Sequence, residues 1–376
     1  MSTLNKRGAF VRTIMTESAT RFVSPVTFQT LSNYPVSIGL FEDWKPGNIR
    51  HISNAEWADV VVIAPATANI IGKIANGIAD DLLTTTVMAA ECQVVMAPSM
   101  NDKMYANPVL QKNVQFLREL GYSFIEPESG YLACGREGRG RMAAISTIVD
   151  ALENFFVPKD LQGVHILVTA GGTQEDIDPV RYISNQSSGK MGYSIASQAR
   201  KRGALVTLIT APSCLPAPSG VKTIRVRSAR EMLAACRAEF PEVDVLIMAA
   251  AVADYEPEEA AGEKIKKDAD NLTIILRPTP DILVELGAGK KKEQMLVGFS
   301  AETQDLKENA RRKMLSKKVD MIVANDVSDG IFGSDFTSII IMSPEGSEET
   351  FDKISKVEAA DVILNSVLKT RKMLGG

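Results

Sequence analysis

At 376 residues the chain is long for one domain, and its 45% hydrophobic and 23% charged residues describe an ordinary globular protein with enough apolar surface for two cores. A net charge of -4 gives no electrostatic reason to expect nucleic acid or an acidic membrane as partner. Four cysteines, Cys92, Cys134, Cys214 and Cys236, make no C-x-x-C pair, which argues against a zinc knuckle or disulfide framework and for a reducing cytoplasm.

In chain order, "LNKRG" reads as the last turn of a helix closed by Gly8, and "AFVRTIM" as the strand after it. No signal-peptide core precedes them. A βαβ unit needs an earlier strand and most of a helix, so the first half is expected to lack its opening element. From Asp59 the pattern is strand "DVVVIA", turn "PATAN", one helix "IIGKIANGIADDLLTTTVMAA", strand "CQVVMA" and loop "PSMNDKMYANP". Proline and polar residues interrupt "DVVVIAPATANII" well short of the roughly 18 apolar residues of a membrane span. "VQFLRELG" ends a further helix at Gly121, and "YSFIEP" is a short strand. Unbroken apolar strands alternating with helices predict a parallel sheet covered on both faces.

"VPKDLQG", residues 157 to 163, reads as a linker or loop, which divides the chain into domains 1–157 and 158–376. A second α/β series follows: strand "HILVTA", helix from about Ser187 to Arg202, strand "ALVTLIT", helix "AREMLAACRAEF" and strand "VDVLIMAAAV". Then come helix "PDILVELGAG", strand "MLVGFS", helix "DLKENARRKMLSKK", strand "DMIVAND", the hairpin-like pair "SIIIMSP" and "EETFD", and a final helix. His165, within an apolar strand, is expected to be structural. No internal repeat or low-complexity tract is present.

In an open parallel sheet, ligands bind at the loops leaving the carboxyl ends of the strands, and here those loops are the polar ones. "TAGGTQEDIDPVRYISNQSSGKMG" joins a strand to a helix without the G-x-G-x-x-G spacing of a dinucleotide site. Ser187, Ser188 and Gly189 offer either an anion site at a helix N-terminus or an ordinary capped helix. Lys264, Lys266 and Lys267 in "EKIKK" suit phosphates or a solvated loop. "GAGKKKE" follows a helix and lacks the Ser/Thr of a P-loop, so Gly287 and Gly289 read as a helix end and Lys290 to Lys292 as solvated.

"TAGGTQEDIDPVRYISNQSSGKMG", "AAAVADY", "EKIKK", "VGFSAET" and "ANDV" occur in the order and approximate spacing of the phosphopantothenate-cysteine ligase half of the bacterial bifunctional coenzyme A enzyme, which the second half of the chain therefore resembles. The resemblance implies that CTP activates the carboxylate of 4′-phosphopantothenate as an acyl-cytidylate, which the amine of cysteine then attacks to displace CMP. It implies that Asn185 handles the intermediate and that Lys264 is needed to form it. CTP contacts are implied for Met248, Ala249, Ala250, Asp254, Pro280, Asp281, Ile282, Leu283, Phe299, Lys313 and Lys317. The last two, four apart on a helix, share a face that either grips a phosphate chain or is simply exposed. Mg²⁺ is expected with the triphosphate, its ligands unassigned.

"RHIS", "APATANIIGKIANGIADDLLT", "APSMNDKMYANP" and "ACGREGRGRM" resemble the phosphopantothenoylcysteine decarboxylase half of the same enzyme. In that family FMN oxidises the substrate thiol so that loss of CO₂ leaves electrons a thiocarbonyl can accept, and the ene-thiol is then reduced and protonated. By resemblance His51 is the active-site base, Asn101 holds the substrate carboxylate, and Cys134, in a mobile glycine-rich flap, donates a proton to the product. Without that context, His51 and Cys134 read as a surface histidine and a bland thiol. Thr67, Ala68 and Asn69 would contact the flavin phosphate from a strand-to-helix turn, and Met100, with Met104, the flavin site.

The fold class implied is two-domain α/β, a flavodoxin-like flavoprotein domain followed by a Rossmann-like parallel-sheet ligase domain. Expected partners are small-molecule substrates, with no nucleic acid and no membrane. A homo-oligomer is also expected, trimeric through the first domain and dimeric through the second. The family's opening strand and glycine-rich FMN turn have no match before Leu4, which predicts an incomplete N-terminus and weak FMN binding. Two rival readings are a monofunctional ligase with an inactive flavodoxin-like domain and a non-catalytic interaction protein.

Overall fold

The computed structural model describes residues 1–41, 49–131, 135, 137–266, 272–302, 306–326 and 334–374. The chain divides into two units, Met1–Phe156 and Val157–Gly376.

In the first unit, parallel strands β1 (Val60–Ala66), β2 (Gln93–Pro98) and β3 (Ser123–Phe124) lie side by side in that order. Successive side chains on a strand point to opposite faces. Val94 and Met96 accordingly pack with Ile63, Ile71 and Leu117, whereas Val95 and Ala97 pack with Ile148 and Leu152 of helix Ile145–Phe156. Both faces of β2 are buried, which is why it reads as an unbroken apolar run.

Two expectations for this half need correction. The stretch read as one helix over 70–90 is two, Ala68–Ala75 and Leu82–Ala89. Gly77 between them has φ +68°, and the Asp81 carboxylate accepts the Thr84 amide at 2.8 Å as the second helix's cap, so the chain stops and restarts. "AFVRTIM" is not a strand: among the described residues it makes only an isolated bridge, Ile14 to Ser37, because no neighbouring ladder extends it. Residues 137–140 of the glycine-rich stretch are paired within hairpin β4 (Glu128–Tyr131) and β5 (Glu137–Arg141).

The second unit is built on strands β6 (His165–Ala170), β9 (Leu205–Thr210), β10 (Lys222–Arg225), β11 (Val245–Met248), β14 (Met295–Glu302), β15 (Met321–Asp326), β16 (Phe336–Met342) and β17 (Glu348–Ser355), with small hairpins β7 (Gln174–Asp176)/β8 (Tyr182–Ser184) and β12 (Tyr255–Pro257)/β13 (Leu276–Pro278) in its loops. The eight-stranded order is β10-β9-β6-β11-β14-β15-β16-β17, parallel as far as β15 and antiparallel beyond it. From β6 the chain first builds outward through β9 and β10, then returns to β11 and builds the other way. The β6/β11 boundary is therefore the switch point at which open α/β sheets leave a crevice.

Ile166 and Val168 pack under helices Lys190–Lys201 and Lys356–Leu374, while Leu167 faces helices Ala229–Glu239, Ile282–Ala288 and Leu306–Lys317. The stretch read as a linker is not loose: Leu161 is fully buried in this core and Asp160 pairs with Arg202 at 2.8 Å. Nor is Lys290 solvated, since it is paired with Asp320 beneath β14 and β15. His165 is structural as expected, its ring nitrogens 2.9 Å from the Glu242 carbonyl and 3.1 Å from the Thr207 hydroxyl.

Candidate active site

The switch point opens into a cavity of roughly 600 Å³. One wall is the loop from Asn185 to Met191, another the segment from Met248 to Asp254 that leaves β11. Hydrogen bonds hold the second wall to the end of β6 and the turn after it: the Ala251 amide donates to the Gly171 carbonyl at 2.8 Å, the Ala250 amide to the Thr169 hydroxyl at 3.1 Å, and the Ala253 amide to the Thr173 hydroxyl at 2.9 Å. Asn185 Nδ2 donates to the Ala251 and Val252 carbonyls at 3.3 and 3.1 Å.

Glycines permit this folding back. A Cβ at Gly172 would lie 2.7 Å from the Asn185 carbonyl oxygen, and Gly189, with φ +80°, turns the chain into the helix beginning at Lys190. The glycine pair after β6 thus serves a loop that doubles back under its own asparagine, which a dinucleotide turn does not need.

The remaining walls carry the other residues singled out by resemblance. Pro280 to Leu283 open a helix whose cap is Asp281, and Phe299 comes from β14. Lys313 and Lys317 both line the cavity, as their shared helix face requires. Lys313 Nζ donates to the Phe299 carbonyl at 2.8 Å, and Lys317 Nζ pairs with Asp281 at 3.0 Å. Met248, Ala249, Ala250 and Asp254 line the cavity with them.

Lys264 is not brought to this cavity. It is exposed, on a loop pinned elsewhere: the Ile265 amide donates to buried Asp178 at 3.2 Å, and Arg181 donates to the Ile265 carbonyl at 3.0 Å. Arg181 also holds the Asp178 carboxyl well below the usual carboxylate range. Lys267 lies outside the described residues. Among the described residues no group of three or more His, Cys, Asp or Glu side chains is arranged to hold a metal ion.

Two further lysines line the cavity that the sequence did not single out, Lys190 and Lys356. Lys190 stands inside the quoted "SSGKMG" stretch, but only burial and position reveal Lys356.

In the first unit the candidates gather at the carboxyl ends of two adjacent parallel strands. Thr67 follows β1, its hydroxyl accepting the Ile70 amide at 3.4 Å, and with Ala68 and exposed Asn69 it opens the next helix. After β2, the Met100 amide donates to the Gly140 carbonyl at 2.9 Å, and Asn101 Oδ1 accepts the Lys103 amide at 3.0 Å. A Cβ on Gly140 would lie 2.1 Å from the Met100 carbonyl, so the glycine-rich hairpin is a tight backing for this loop. Helix amides and a hydroxyl at one strand end, with a polar loop at the next, fit the phosphate and ring of a flavin. Met104 is half exposed on the short helix Asp102–Tyr105 that follows this loop. Nearby, Tyr105 donates to Glu126 at 2.7 Å, and burial together with that carboxylate pushes its hydroxyl up to about 12. His51 is half-buried on helix Arg50–Trp57, which packs against Leu82–Ala89. Cys134 lies outside the described residues.

Comparison with known proteins agrees with this division. Residues 1–157 match the family model described as Flavoprotein, and residues 161–370 the one described as DNA/pantothenate metabolism flavoprotein C-terminal domain. The coenzyme A biosynthesis bifunctional protein CoaBC of Bacillus subtilis (strain 168) is 46% identical over 380 residues, covering 100% of this chain and 93% of that protein. Its namesake in Escherichia coli (strain K12) is 43% identical, covering 96% and 89%. A crystal structure of the C-terminal domain of a CoaBC protein superimposes with a TM-score of 0.50 at 39% identity, covering 57% of this chain and 98% of that one. The chain therefore belongs to the family of bifunctional coenzyme A biosynthesis proteins, its flavoprotein domain preceding its DNA/pantothenate metabolism flavoprotein C-terminal domain.

Proposed function

We propose that the second unit ligates 4′-phosphopantothenate to cysteine at the expense of CTP, and that the first decarboxylates the product to 4′-phosphopantetheine with FMN. The observation carrying the ligase reading is the convergence of Asn185, the Met248–Asp254 segment, the Pro280–Leu283 turn, Phe299, Lys313 and Lys317 on one cavity.

A carboxylate is a poor electrophile until it bears a leaving group. In this reading its oxygen attacks the α-phosphorus of CTP and releases pyrophosphate. The amine of cysteine then attacks the acyl carbon of the acyl-cytidylate and releases CMP. Lys313 and Lys317 offset phosphate charge, and Mg²⁺ enters with the triphosphate. The Pro280–Leu283 turn, Phe299, Asp254 and Met248 to Ala250 enclose the nucleoside, and Asn185 orients the intermediate. By resemblance Lys264 assists its formation, although its loop is held outside the cavity by Asp178 and Arg181.

In the first unit, Thr67, Ala68, Asn69 and Met100 would hold FMN, which when bound supplies oxidation of the substrate thiol and the later return of electrons. His51 acts as base toward the substrate thiol, Asn101 holds the carboxylate that leaves as CO₂, and Cys134 returns a proton to the product carbon. The reading makes the protein a cytoplasmic homo-oligomer, trimeric through the first unit and dimeric through the second. Among the described residues no helix is long and apolar enough to cross a membrane.

Ligation with 4′-phosphopantothenate carrying ¹⁸O in its carboxylate tests the acyl-cytidylate. One labelled oxygen should appear in CMP, and unlabelled CMP formed alongside amide would overturn this route.

A further inference from the structure

We propose that Lys356, with Lys190 and the amides that open helix Lys190–Lys201, forms a phosphoryl-binding subsite in the cavity that Lys313 and Lys317 also line. The identity of the ligand rests on the ligase reading; the existence of the subsite does not.

Lys356 is only 9% exposed, yet it lines the cavity. Its backbone amide donates to the Asp335 carbonyl at 2.9 Å, but among the described residues its ammonium makes no ion pair or side-chain hydrogen bond. A lysine this buried and unmatched is costly unless something charged meets it. The neighbouring Lys190 sharpens the problem. Its Nζ pairs with the exposed Asp335 carboxylate at 2.7 Å, so one carboxylate stands beside two ammonium groups. Burial first, then the charge of Lys190, pulls the Lys356 ammonium below the usual lysine range, against the opposing pull of Asp335.

The backbone adds donors on the same wall. Gly189, in the left-handed conformation, starts a twelve-residue helix, and Ser187, Ser188, Gly189 and Lys190 line the cavity. A helix start leaves its first amides without intrahelical partners and carries partial positive charge. Two ammonium groups match a phosphoryl group bearing two charges, which a single carboxylate satisfies poorly, and the Gly189 and Lys190 amides, which meet the Ser187 and Ser188 hydroxyls at 3.3 and 3.5 Å, lie beside them. Both proposed substrates have such a group, the terminal phosphate of the triphosphate and the phosphate monoester of 4′-phosphopantothenate.

The test is calorimetric titration of wild type, Lys356→Met and Lys356→Arg with CTP, CMP, 4′-phosphopantothenate, pantothenate and inorganic pyrophosphate. Lys356→Met should weaken binding of pyrophosphate, and of whichever substrate places its phosphate here, by about ten- to a hundred-fold, the span expected for one charge-assisted hydrogen bond. CMP and pantothenate should be unaffected, and Lys356→Arg should recover most of the loss. A loss with CTP assigns the subsite to the triphosphate, and a loss with 4′-phosphopantothenate to the monoester. The melting temperature of Lys356→Met should equal or exceed wild type, because a buried unmatched charge has gone; a merely structural lysine would lower it. If wild type binds neither substrate, the ligase reading fails while the pyrophosphate titration still decides the subsite. Equal affinities of wild type and Lys356→Met for every phosphate ligand, or no pyrophosphate binding by wild type, would overturn the proposal.

Discussion

Both units use the same device to shape a loop at the carboxyl end of a strand: a glycine set hard against a backbone carbonyl. In the first, Gly140 abuts Met100; in the second, Gly172 abuts Asn185. What differs is how much of the site each device completes. Behind Gly172 stands a sheet of eight strands whose switch point supplies the walls of a single cavity. Behind Gly140 the described sheet has three strands, and the candidate residues come from two strand ends and a separate helix. Sheet topology supplies the walls that position most of the ligase candidates, whereas the decarboxylase candidates depend on a hairpin laid over a loop.

That contrast can be broken one unit at a time. The largest expected effect is Gly140→Val: a side chain there meets the Met100 carbonyl at 2.1 Å from its first carbon, and backbone must move, at a cost of about 3 kcal/mol or more. Bound flavin absorbance and CO₂ release should both collapse with ligation intact. A yellow Gly140→Val protein with normal CO₂ release would show that the hairpin does not shape this site.

The counterpart, Gly172→Ala, places a methyl 2.7 Å from the Asn185 carbonyl, a milder overlap costing about 1 to 3 kcal/mol. Ligation should fall about ten- to a hundred-fold while flavin absorbance is unchanged. Should the two glycine variants damage both activities equally, neither glycine acts on its own site alone.

A smaller, more selective effect is expected of Asn185→Ala. The loop loses two hydrogen bonds to β11's extension but keeps its glycines, so acyl-cytidylate should still form and then accumulate, visible in quenched reactions by mass spectrometry. Undiminished amide synthesis would remove Asn185 from its role.

The smallest effect concerns pH. Because Arg181 and local amides depress the Asp178 carboxyl in the folded protein, its stabilisation of the Lys264 loop is fully present above the unfolded value of about 3.9. It is lost only as pH falls below that, through the folded value. Hydrogen exchange at the Ile265 amide should stay slow down to pH 4 in wild type but be fast at neutral pH in Asp178→Asn, with the β6 amides unchanged. Equal exchange at Ile265 in both proteins would mean that Asp178 does not pin the loop.

The sequence made the large strands legible because β2, β6 and β15 are buried on both faces and are therefore unbroken apolar runs. It hid β10 and the hairpins β7/β8 and β12/β13, whose short polar segments become strands only through the partners that tertiary structure brings. The single helix over 70–90 failed for a local reason, a glycine in the left-handed region followed by a capping aspartate. Leu161 and Lys290 looked like linker and solvated residues because composition cannot tell a polar loop from one in which a leucine is buried or a lysine is paired. At the ligase cavity, motif order found most of the wall but missed Lys356, which lies far along the chain at the start of the final helix and is marked by burial alone.

The central claim, that one chain runs both reactions, is tested most directly by mass spectrometry of a single mixture of the purified protein, FMN, 4′-phosphopantothenate, cysteine and either CTP or ATP. With CTP the account predicts CMP, pyrophosphate and CO₂ in equal amounts with 4′-phosphopantetheine, and far less conversion with ATP. Arrest at the undecarboxylated amide would contradict the role given to the first unit, and absence of CMP the role given to the second.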